Sequence, residues 1–318
     1  MPIHAFFLIA AMALVGSNVG FGKSIVAVMP VMLFALLRFL IAIVCMAPWY
    51  KPSCMRRVTR SEWTNLFLQA FFGTFGFTLL MLNGVRLTSA LAAGIITSTI
   101  PATVALLSWL VLRERPSGRT FASVALAVAG VAILNAFRGV ESGGAAAGAS
   151  RALLGNALVM GAVLCESIYV ILSRRLTQTL PAIEICAYTH LIGGLLMLPL
   201  GLVPLLTFDA STVPASIWGL VVWYALSASI FSFWLWMKGI RHVPAHLAGV
   251  FTSVLPIAAA TYGIVALGET PGWPHAVALA CVVAGILVAS WPARPRQPVR
   301  RARVIDPLDP LDPSLDRE

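Results

Sequence analysis

The chain has 318 residues, of which 59% are hydrophobic and only 11% are charged, and its mean hydropathy is +0.90. Soluble domains carry about 25% charged residues, so this composition excludes an ordinary soluble protein. The net charge of +10 is typical of nucleic-acid-binding proteins, but the positions of the basic residues argue against that class, as described below.

Apolar segments long enough to cross a membrane follow one another along most of the chain. A spanning helix needs about 20 mostly apolar residues. Ten segments meet this requirement, at residues 4–25, 30–50, 62–83, 88–112, 119–137, 152–173, 182–206, 214–236, 244–267 and 273–292. The sequence therefore predicts an all-α polytopic membrane protein with ten transmembrane helices. The apolar N-terminus lacks the basic region of a signal peptide, so we interpret it as the first span.

The basic residues indicate how these spans are oriented. If the N-terminus is cytoplasmic, 17 of the 22 Lys and Arg residues fall in cytoplasmic segments, four fall on the opposite side, and Arg38 lies within a span. Cytoplasmic loops of membrane proteins carry an excess of Lys and Arg. The pattern therefore predicts that both termini are cytoplasmic, and the positive charge is explained by topology rather than by nucleic-acid binding.

A long internal repeat divides the chain into two halves. Residues 84–116 recur as residues 239–271 without a gap, so that Pro101 corresponds to Pro256 and Glu114 to Glu269. Each half holds five spans, an odd number, so the second half must enter the membrane in the opposite orientation. The sequence thus predicts an inverted-topology repeat, an arrangement typical of secondary transporters.

The predicted organisation follows from this repeat. It consists of a first five-helix repeat at residues 1–138, a Gly/Ala/Ser linker at 139–150, a second five-helix repeat at 151–291 and a disordered cytoplasmic tail at 292–318. The linker is flexible by composition. The tail, rich in Arg, Asp and Pro, cannot bury a core.

Two prolines lie near the middle of equivalent spans. Pro101 and Pro256 each remove a backbone hydrogen bond and disturb the preceding turn, and that turn carries hydroxyl groups in both halves: Thr97, Ser98, Thr252 and Ser253. These hydroxyls either bond locally to backbone carbonyls in a bent helix, or line a central cavity that both bends face.

Three ionisable residues lie inside predicted spans: Arg38, Glu166 and His190. A charge at that depth costs roughly 2.5–3.5 kcal/mol, so such residues usually face a cavity or a partner. Glu166 is either the partner of Arg38 in a structural bridge or the protonatable group of a proton-coupled cycle. His190 is either a hydrogen-bonded packing residue or a proton relay.

Other polar and aromatic side chains are candidates for the same pathway. Asn18, Asn83 and Tyr169 are predicted to supply polar contacts, and Trp223 and Tyr224 to form an aromatic wall.

Glu114 and Glu269 end spans 4 and 9. A carboxylate there opposes the helix dipole, so each is predicted to clamp a loop by pairing with an Arg or with the N-terminus of the following helix.

The sequence contains no P-loop and none of the common hydrolase, metalloprotease or C-x-x-C motifs. We therefore predict that the chain is not an enzyme and that it needs no cofactor and no metal. The five cysteines form no pair with disulfide or metal-site spacing.

Several short motifs make the chain similar to the drug/metabolite transporter superfamily, EamA-like family. The motifs are Gly16-Ser17-Asn18 followed by Lys23, Arg38-Phe39, Leu91-Ala92-Ala93-Gly94 running through Pro101 to Leu112-Arg113-Glu114, and Ala245 to Gly249 running through Pro256 to Leu267-Gly268-Glu269. The resemblance covers residues 3–291. It implies a ten-helix inner-membrane carrier with a central cavity that exports amino acids, other metabolites or toxic small molecules.

The function predicted from these observations is secondary active transport of small metabolites by alternating access, with a coupling proton as one option and a monomer or homodimer in the lipid bilayer as the working unit. A passive facilitator or channel remains an alternative. Exchange of phosphorylated or nucleotide-linked metabolites is a second alternative, although Arg38 is the one basic residue clearly placed in the predicted cavity.

Overall fold

The computed structural model describes residues 2–50, 58–112, 118–136, 146–177, 179–240 and 251–290, which form helices and short connections with no strand among them. The α-helices are α1 (Pro2–Val26), α2 (Val31–Cys45), α3 (Arg60–Gln69), α4 (Phe77–Leu87), α5 (Ala90–Thr97), α6 (Ile100–Leu112), α7 (Gly118–Ala136), α8 (Ala146–Leu176), α9 (Ala182–Thr207), α10 (Ala215–Leu226), α11 (Ser232–Ile240), α12 (Val254–Leu267) and α13 (Trp273–Ser290). The predicted linker 139–150 is wrong at its end, because the alanine-rich residues from Ala146 onward belong to α8. Residues 139–145 and the predicted tail lie outside the described residues.

Seven apolar stretches in the described part of the chain are long enough to cross a membrane. They are Ile3–Val26, Arg60–Leu87, Ala90–Leu110, Gly118–Ala136, Ser150–Ser173, Ala182–Thr207 and Ala215–Trp236. Three further predicted spans correspond to shorter apolar helices, Val31–Cys45, Val254–Leu267 and Trp273–Ala289. The structure therefore supports a polytopic membrane protein, whereas the count of ten spans stays a prediction.

The outer surface of the helices is strongly apolar. Val265 is 80% exposed, Leu206 76% and Val44 73%. A water-facing surface of this kind would aggregate, but the same surface is well solvated by lipid.

Spans 4 and 9 are broken rather than bent. α5 ends at Thr97 and α6 begins at Ile100, so Pro101 lies in the first turn of a new helix. Pro256 likewise lies in the first turn of α12, which follows a turn at Thr252 and Ser253. Proline is tolerated in a first turn because its missing N–H would have no intrahelical partner there.

In the described part of the chain, two π-helical segments occur inside long helices, at Ala70–Gly76 between α3 and α4 and at Ser227–Phe231 between α10 and α11. Shifting the first segment by the 155-residue period of the sequence repeat places it over residues 225–231, which contain the second. π-Helical turns inside α-helices occur frequently at functional sites. Both segments border the cluster of polar residues described next.

Close packing between helices depends on glycines of α1 and α5. A Cβ on Gly16 would lie 2.2 Å from the carbonyl oxygen of Leu255, and one on Gly94 would lie 2.4 Å from the Cβ of Ala259. α1 and α5 therefore approach α12 as closely as small residues permit, as expected for helices that associate in lipid.

Candidate functional site

Arg38 is the centre of a polar cluster inside the helix bundle. It lies on the buried face of α2 with Phe34, one turn earlier, and Phe39, and is only 7% exposed. Its Nη1 atom donates a hydrogen bond to the hydroxyl of Thr78 at the start of α4. The guanidinium carbon lies 5.4 Å from the ring centroid of Phe39 and 5.6 Å from that of Tyr224, within the range of cation–π attraction. The Nε atom is buried and has no hydrogen-bond partner.

Glu166 on α8 has an acidic side chain and lies near enough to Arg38 to interact with it electrostatically. No ion pair within 4.0 Å joins these two residues. The structural bridge that the sequence left open is therefore absent from this conformation. The guanidinium and the carboxylate instead stand apart as two separate charged groups in one cluster.

His190 on α9 is held by a local hydrogen bond. Its Nδ1 atom lies 2.8 Å from the carbonyl oxygen of Cys186, one turn earlier. Because a carbonyl oxygen can only accept, Nδ1 is the atom that donates in this contact. The Nε2 atom is buried without a partner, and in the neutral ring it is a hydrogen-bond acceptor. The ring also contacts Phe39 edge to face at a centroid distance of 6.1 Å.

Tyr169 and Ser229 complete the wall of the cluster next to the π-helical segments. The ring of Tyr169 packs on Gly73, where a Cβ would lie 2.3 Å from its Cδ2 atom. Ser229 is 1% exposed, and its hydroxyl has no hydrogen-bond partner. The backbone carbonyl of Ser229 lies 3.9 Å from the thiol of Cys186, which donates to it weakly. The π-helical segments thus bring residues of spans 3 and 8 against α8 and α9.

Asn18 joins α1 to the same region. Its Oδ1 atom accepts a hydrogen bond of 2.8 Å from the hydroxyl of Ser227. Ser227 also lies 3.2 Å from the carbonyl oxygen of Tyr224, whose ring packs edge to face on Phe34 at 5.0 Å. The predicted residues Asn18, Arg38, Glu166, Tyr169, His190 and Tyr224 therefore belong to one connected region.

The predicted hydroxyls of spans 4 and 9 are not linked to this region by a direct contact. Thr97 and Ser98 are buried and bond back to the carbonyl oxygens of Ala93 and Gly94 at 2.7 Å each. This is the local arrangement that the sequence allowed as one of two alternatives. Thr252 and Ser253 occupy the equivalent turn before α12.

Three other predicted residues lie apart from the cluster. Asn83 bonds locally to the carbonyl oxygen of Leu79. Pro101 is exposed, and Trp223 is 42% exposed with its ring 5.9 Å from that of Phe231. Trp223 therefore does not share a buried face with the adjacent Tyr224. Pro256, in contrast, is buried.

The sequence profile of the EamA-like transporter family matches residues 2–136 and again residues 153–291. Together the two matches cover most of the chain. The chain belongs to the EamA-like transporter family.

Relatives of this EamA-like protein carry the same general description. It is 37% identical over 283 residues to the uncharacterized transporter YetK of Bacillus subtilis (strain 168), covering 88% of this chain and 84% of YetK. It is 21% identical over 231 residues to the uncharacterized transporter YyaM of the same organism, covering 73% and 74% of the two chains. A crystal structure with 23% sequence identity matches with a TM-score of 0.60 over 90% of this chain and 96% of its own. At that identity the structural likeness concerns the fold alone. The family and these names point to a membrane transporter rather than an enzyme.

The sequence did not predict four members of the polar cluster around Arg38: Thr78, Cys186, Ser227 and Ser229. Small hydroxyl residues are common in membrane helices, so their presence alone carries no signal. The internal repeat does give a signal for Ser229, because Thr74 and Ser229 are equivalent positions at the 155-residue period. Thr74 donates a hydrogen bond to the carbonyl oxygen of Thr189 on α9.

Glu269 was expected to clamp a loop through an Arg or the following helix, and both expectations are wrong. It pairs with Lys23 at the end of α1 and accepts hydrogen bonds from the backbone N–H groups of Ala90 and Leu91 at the start of α5. A carboxylate needs compensation at this position, and this EamA-like chain supplies it from the other half of the sequence. Glu114, its repeat equivalent, lies outside the described residues.

Proposed function

We propose that this chain is a secondary active transporter that moves small metabolites across the cell (inner or plasma) membrane by alternating access of two inverted five-helix halves. The observation that carries the proposal is that Arg38 and Glu166 belong to one cluster, the first buried and the second half-buried, and that neither forms an ion pair with any residue that the structure describes. Keeping two opposite charges apart inside an apolar bundle is unfavourable unless a ligand pairs with them or a proton neutralises the carboxylate.

The donors and acceptors of the cluster favour a ligand with both an anionic and a cationic group. Arg38 offers Nε–H, and the hydroxyl of Ser229 is a further donor. Glu166 and the Nε2 atom of neutral His190 are acceptors. A carboxylate bound to the guanidinium and an ammonium group bound near Glu166 would satisfy all four, as in an amino acid. The rings of Tyr169 and Tyr224 would pack against an apolar or drug-like remainder.

The inverted repeat is supported by features at equivalent positions in the two halves. The π-helical segments and the helix breaks before Pro101 and Pro256 recur at the 155-residue period. The family profile also matches once in each half. With ten spans and both termini cytoplasmic, each half would adopt the conformation of the other when the carrier changes access.

Glu166 is proposed to carry a coupling proton. A carboxyl group at this depth that has no ion-pair partner among the described residues can be neutralised by a proton or by a substrate ammonium group. Competition between these two would couple substrate export to proton entry. Secondary transport of this kind needs neither cofactor nor hydrolysis, and a monomer suffices, although a homodimer is compatible with it.

Two alternatives make different demands. A passive facilitator would need a continuous pore, whereas Arg38 and His190 of the cluster are buried. An exchanger of phosphorylated or nucleotide-linked metabolites would need several basic groups, and among the residues that the structure describes the cluster contains one Lys or Arg, Arg38.

Matched ligands test the substrate class. Thermal-shift measurements on the purified protein would compare phenylalanine with phenethylamine and 3-phenylpropanoate, and leucine with 3-methylbutylamine and 4-methylpentanoate. Polyamines and nucleosides are the unrelated controls. A larger stabilisation by the zwitterion than by either single-charge analogue supports the proposal, and equal effects contradict it. Counterflow in proteoliposomes then separates a carrier, which shows trans-stimulation by preloaded substrate, from a pore, which does not.

A further inference from the structure

Glu269 connects three helices at the end of the bundle that is predicted to face outward. Its Oε1 atom lies 2.7 Å from the Nζ atom of Lys23 and 2.7 Å from the backbone nitrogen of Ala90. Its Oε2 atom accepts a hydrogen bond of 3.0 Å from the backbone N–H of Leu91. The carboxylate belongs to the second half of the chain, and all three of its donors belong to the first.

Gly263 in α12 and Gly268 directly after it put the carboxylate in this place. Gly268 ends the helix with a positive φ of 65°, a conformation that side chains disfavour. The N–H of Glu269 then bonds back to the carbonyl oxygen of Gly263 at 2.9 Å. A Cβ on Gly263 would lie 2.6 Å from the Oε2 atom of Glu269. The chain therefore turns back over α12 and directs the carboxylate at α5.

The first turn of α5 requires an acceptor there. Its free N–H groups lie in a buried segment, with Ala90 fully buried and Leu91 3% exposed. The hydroxyl of Ser89 accepts from Ala92 at 3.0 Å, and Glu269 accepts from the two preceding amides. An anion is favoured at a helix N-terminus by the helix dipole. The amides are buried and bind a carboxylate that is 13% exposed, whereas Lys23, at 29% side-chain exposure, supplies a weaker and more screened attraction.

We propose that Glu269 is the outer gate of the carrier: its carboxylate holds α12 of the second half against α1 and α5 of the first half and releases them when the outer side opens. The proposal rests on transport by alternating access, in which the two halves must separate at one end. A hydrogen bond of 3.0 Å between Ser24 and Tyr262 lies at the same α1–α12 contact.

A neighbouring cavity explains how the gate can open. A space of about 440 Å³ beside Glu269 is lined by Ser89, Leu91, Leu134 and residues of the turn after α12. Water in this space can reach the amides of α5 and replace the carboxylate, so opening does not leave them without a partner.

Sided cysteine labelling tests the gate without any substrate. Ser98, 4% exposed and below the gate, would be changed to cysteine in a variant without native cysteines. A membrane-impermeant maleimide would be applied to intact cells and to inverted vesicles. We expect Glu269→Gln to raise the rate of labelling from the outer side about tenfold. Loss of one charge-assisted hydrogen bond is enough to shift the equilibrium between the closed and the open outer side by that factor. Unchanged labelling from both sides would overturn the proposal.

Two further variants test two other roles for Glu269: an ion pair with Lys23 alone, and a helix cap that stabilises α5 without opening. Lys23→Gln should raise outer labelling less than Glu269→Gln, because the amides still hold the carboxylate. The double exchange Lys23→Glu/Glu269→Lys should not restore the closed state, because a cation then faces the N-terminus of α5; restoration would contradict the proposal. Lower thermal stability with unchanged sided labelling would indicate a static cap and would also contradict it.

Gly263→Ala supplies a second route to the same test if Glu269→Gln fails to fold. It displaces the carboxylate without removing it, so outer labelling should rise less than in Glu269→Gln. Gly219→Ala is the matched control, since a Cβ there has no atom within 4 Å. The gate and the carrier function are tested by different results. If Glu269→Gln changes the labelling but the protein shows no counterflow, the carrier function is refuted. If the protein shows counterflow but Glu269→Gln leaves the labelling unchanged, only the gate is refuted.

Discussion

Arg38 and Glu166 interact electrostatically inside the helix bundle, yet no ion pair within 4.0 Å connects them. The guanidinium instead contacts the hydroxyl of Thr78 and the rings of Phe39 and Tyr224. The cluster therefore offers two charged groups of opposite sign to a third molecule rather than to each other.

Arg38→Gln should weaken binding of the zwitterion that gives the largest thermal shift. Loss of a hydrogen bond to a charged group reduces affinity by about tenfold to hundredfold. Arg38→Lys keeps the charge but not the planar fork and should have an intermediate effect. Arg86→Gln is the control, because Arg86 is exposed at the end of α4. Affinities of the purified variants are measured by titration in the thermal-shift assay. Equal affinity of the Arg38→Gln variant and the unmodified protein would remove Arg38 from the site.

Glu166→Gln should separate driven transport from exchange. The amide keeps the shape of the carboxyl group but cannot take up a proton, so a pH gradient should no longer drive uptake into proteoliposomes. Counterflow of the same substrate needs no net proton movement and should continue, with affinity reduced by the lost negative charge. Undiminished uptake under a pH gradient would refute the coupling role, whereas loss of both activities would place Glu166 in substrate binding alone.

The sequence predicted more of the fold than of the candidate site. Composition and apolar length predicted the helical membrane class, and the ionisable residues Arg38, Glu166 and His190 were predicted as site candidates because charges are rare inside spans. The helix breaks were expected only as bends, since a proline in a pattern does not reveal whether it disturbs a helix or begins a new one.

The contacts of Glu269 could not be predicted from sequence for a different reason. From the sequence, a carboxylate is expected to interact with the helix N-terminus nearest to it along the chain. In the structure, the carboxylate of Glu269 contacts Ala90, which is 179 residues away. The π-helical segments were equally hidden, because no residue type specifies them. Contacts between distant segments depend on packing that only the whole fold determines.

Gly73→Ala should destabilise the protein. An added Cβ would lie 2.3 Å from the Cδ2 atom and 2.7 Å from the Cβ of Tyr169. The Cβ of Tyr169 is fixed to its backbone, so rotating the ring cannot remove the clash. Overpacking of this kind costs about 1–3 kcal/mol, and the midpoint of thermal unfolding in detergent should fall accordingly. Gly219→Ala, where a Cβ has open space, should leave the midpoint unchanged. An unaffected Gly73→Ala variant would mean that α8 and the first π-helical segment separate easily.

Ser229→Ala and Ser227→Ala should change stability in opposite directions. The hydroxyl of Ser229 is buried without a hydrogen-bond partner, so its removal relieves an unfavourable burial and should stabilise the protein without ligand by about 1 kcal/mol. The hydroxyl of Ser227 donates to Asn18 at 2.8 Å, so its removal should destabilise by a similar amount.

Ligand binding by the Ser229→Ala variant shows whether the hydroxyl of Ser229 contacts the substrate. If Ser229 donates to the substrate, Ser229→Ala gains stability without ligand but loses affinity, so that its thermal shift with the zwitterion is smaller than that of the unmodified protein. Thermal unfolding of both variants with and without ligand measures these differences directly. A Ser229→Ala variant that is stabilised and binds as tightly as before would show that this hydroxyl does not contact the substrate.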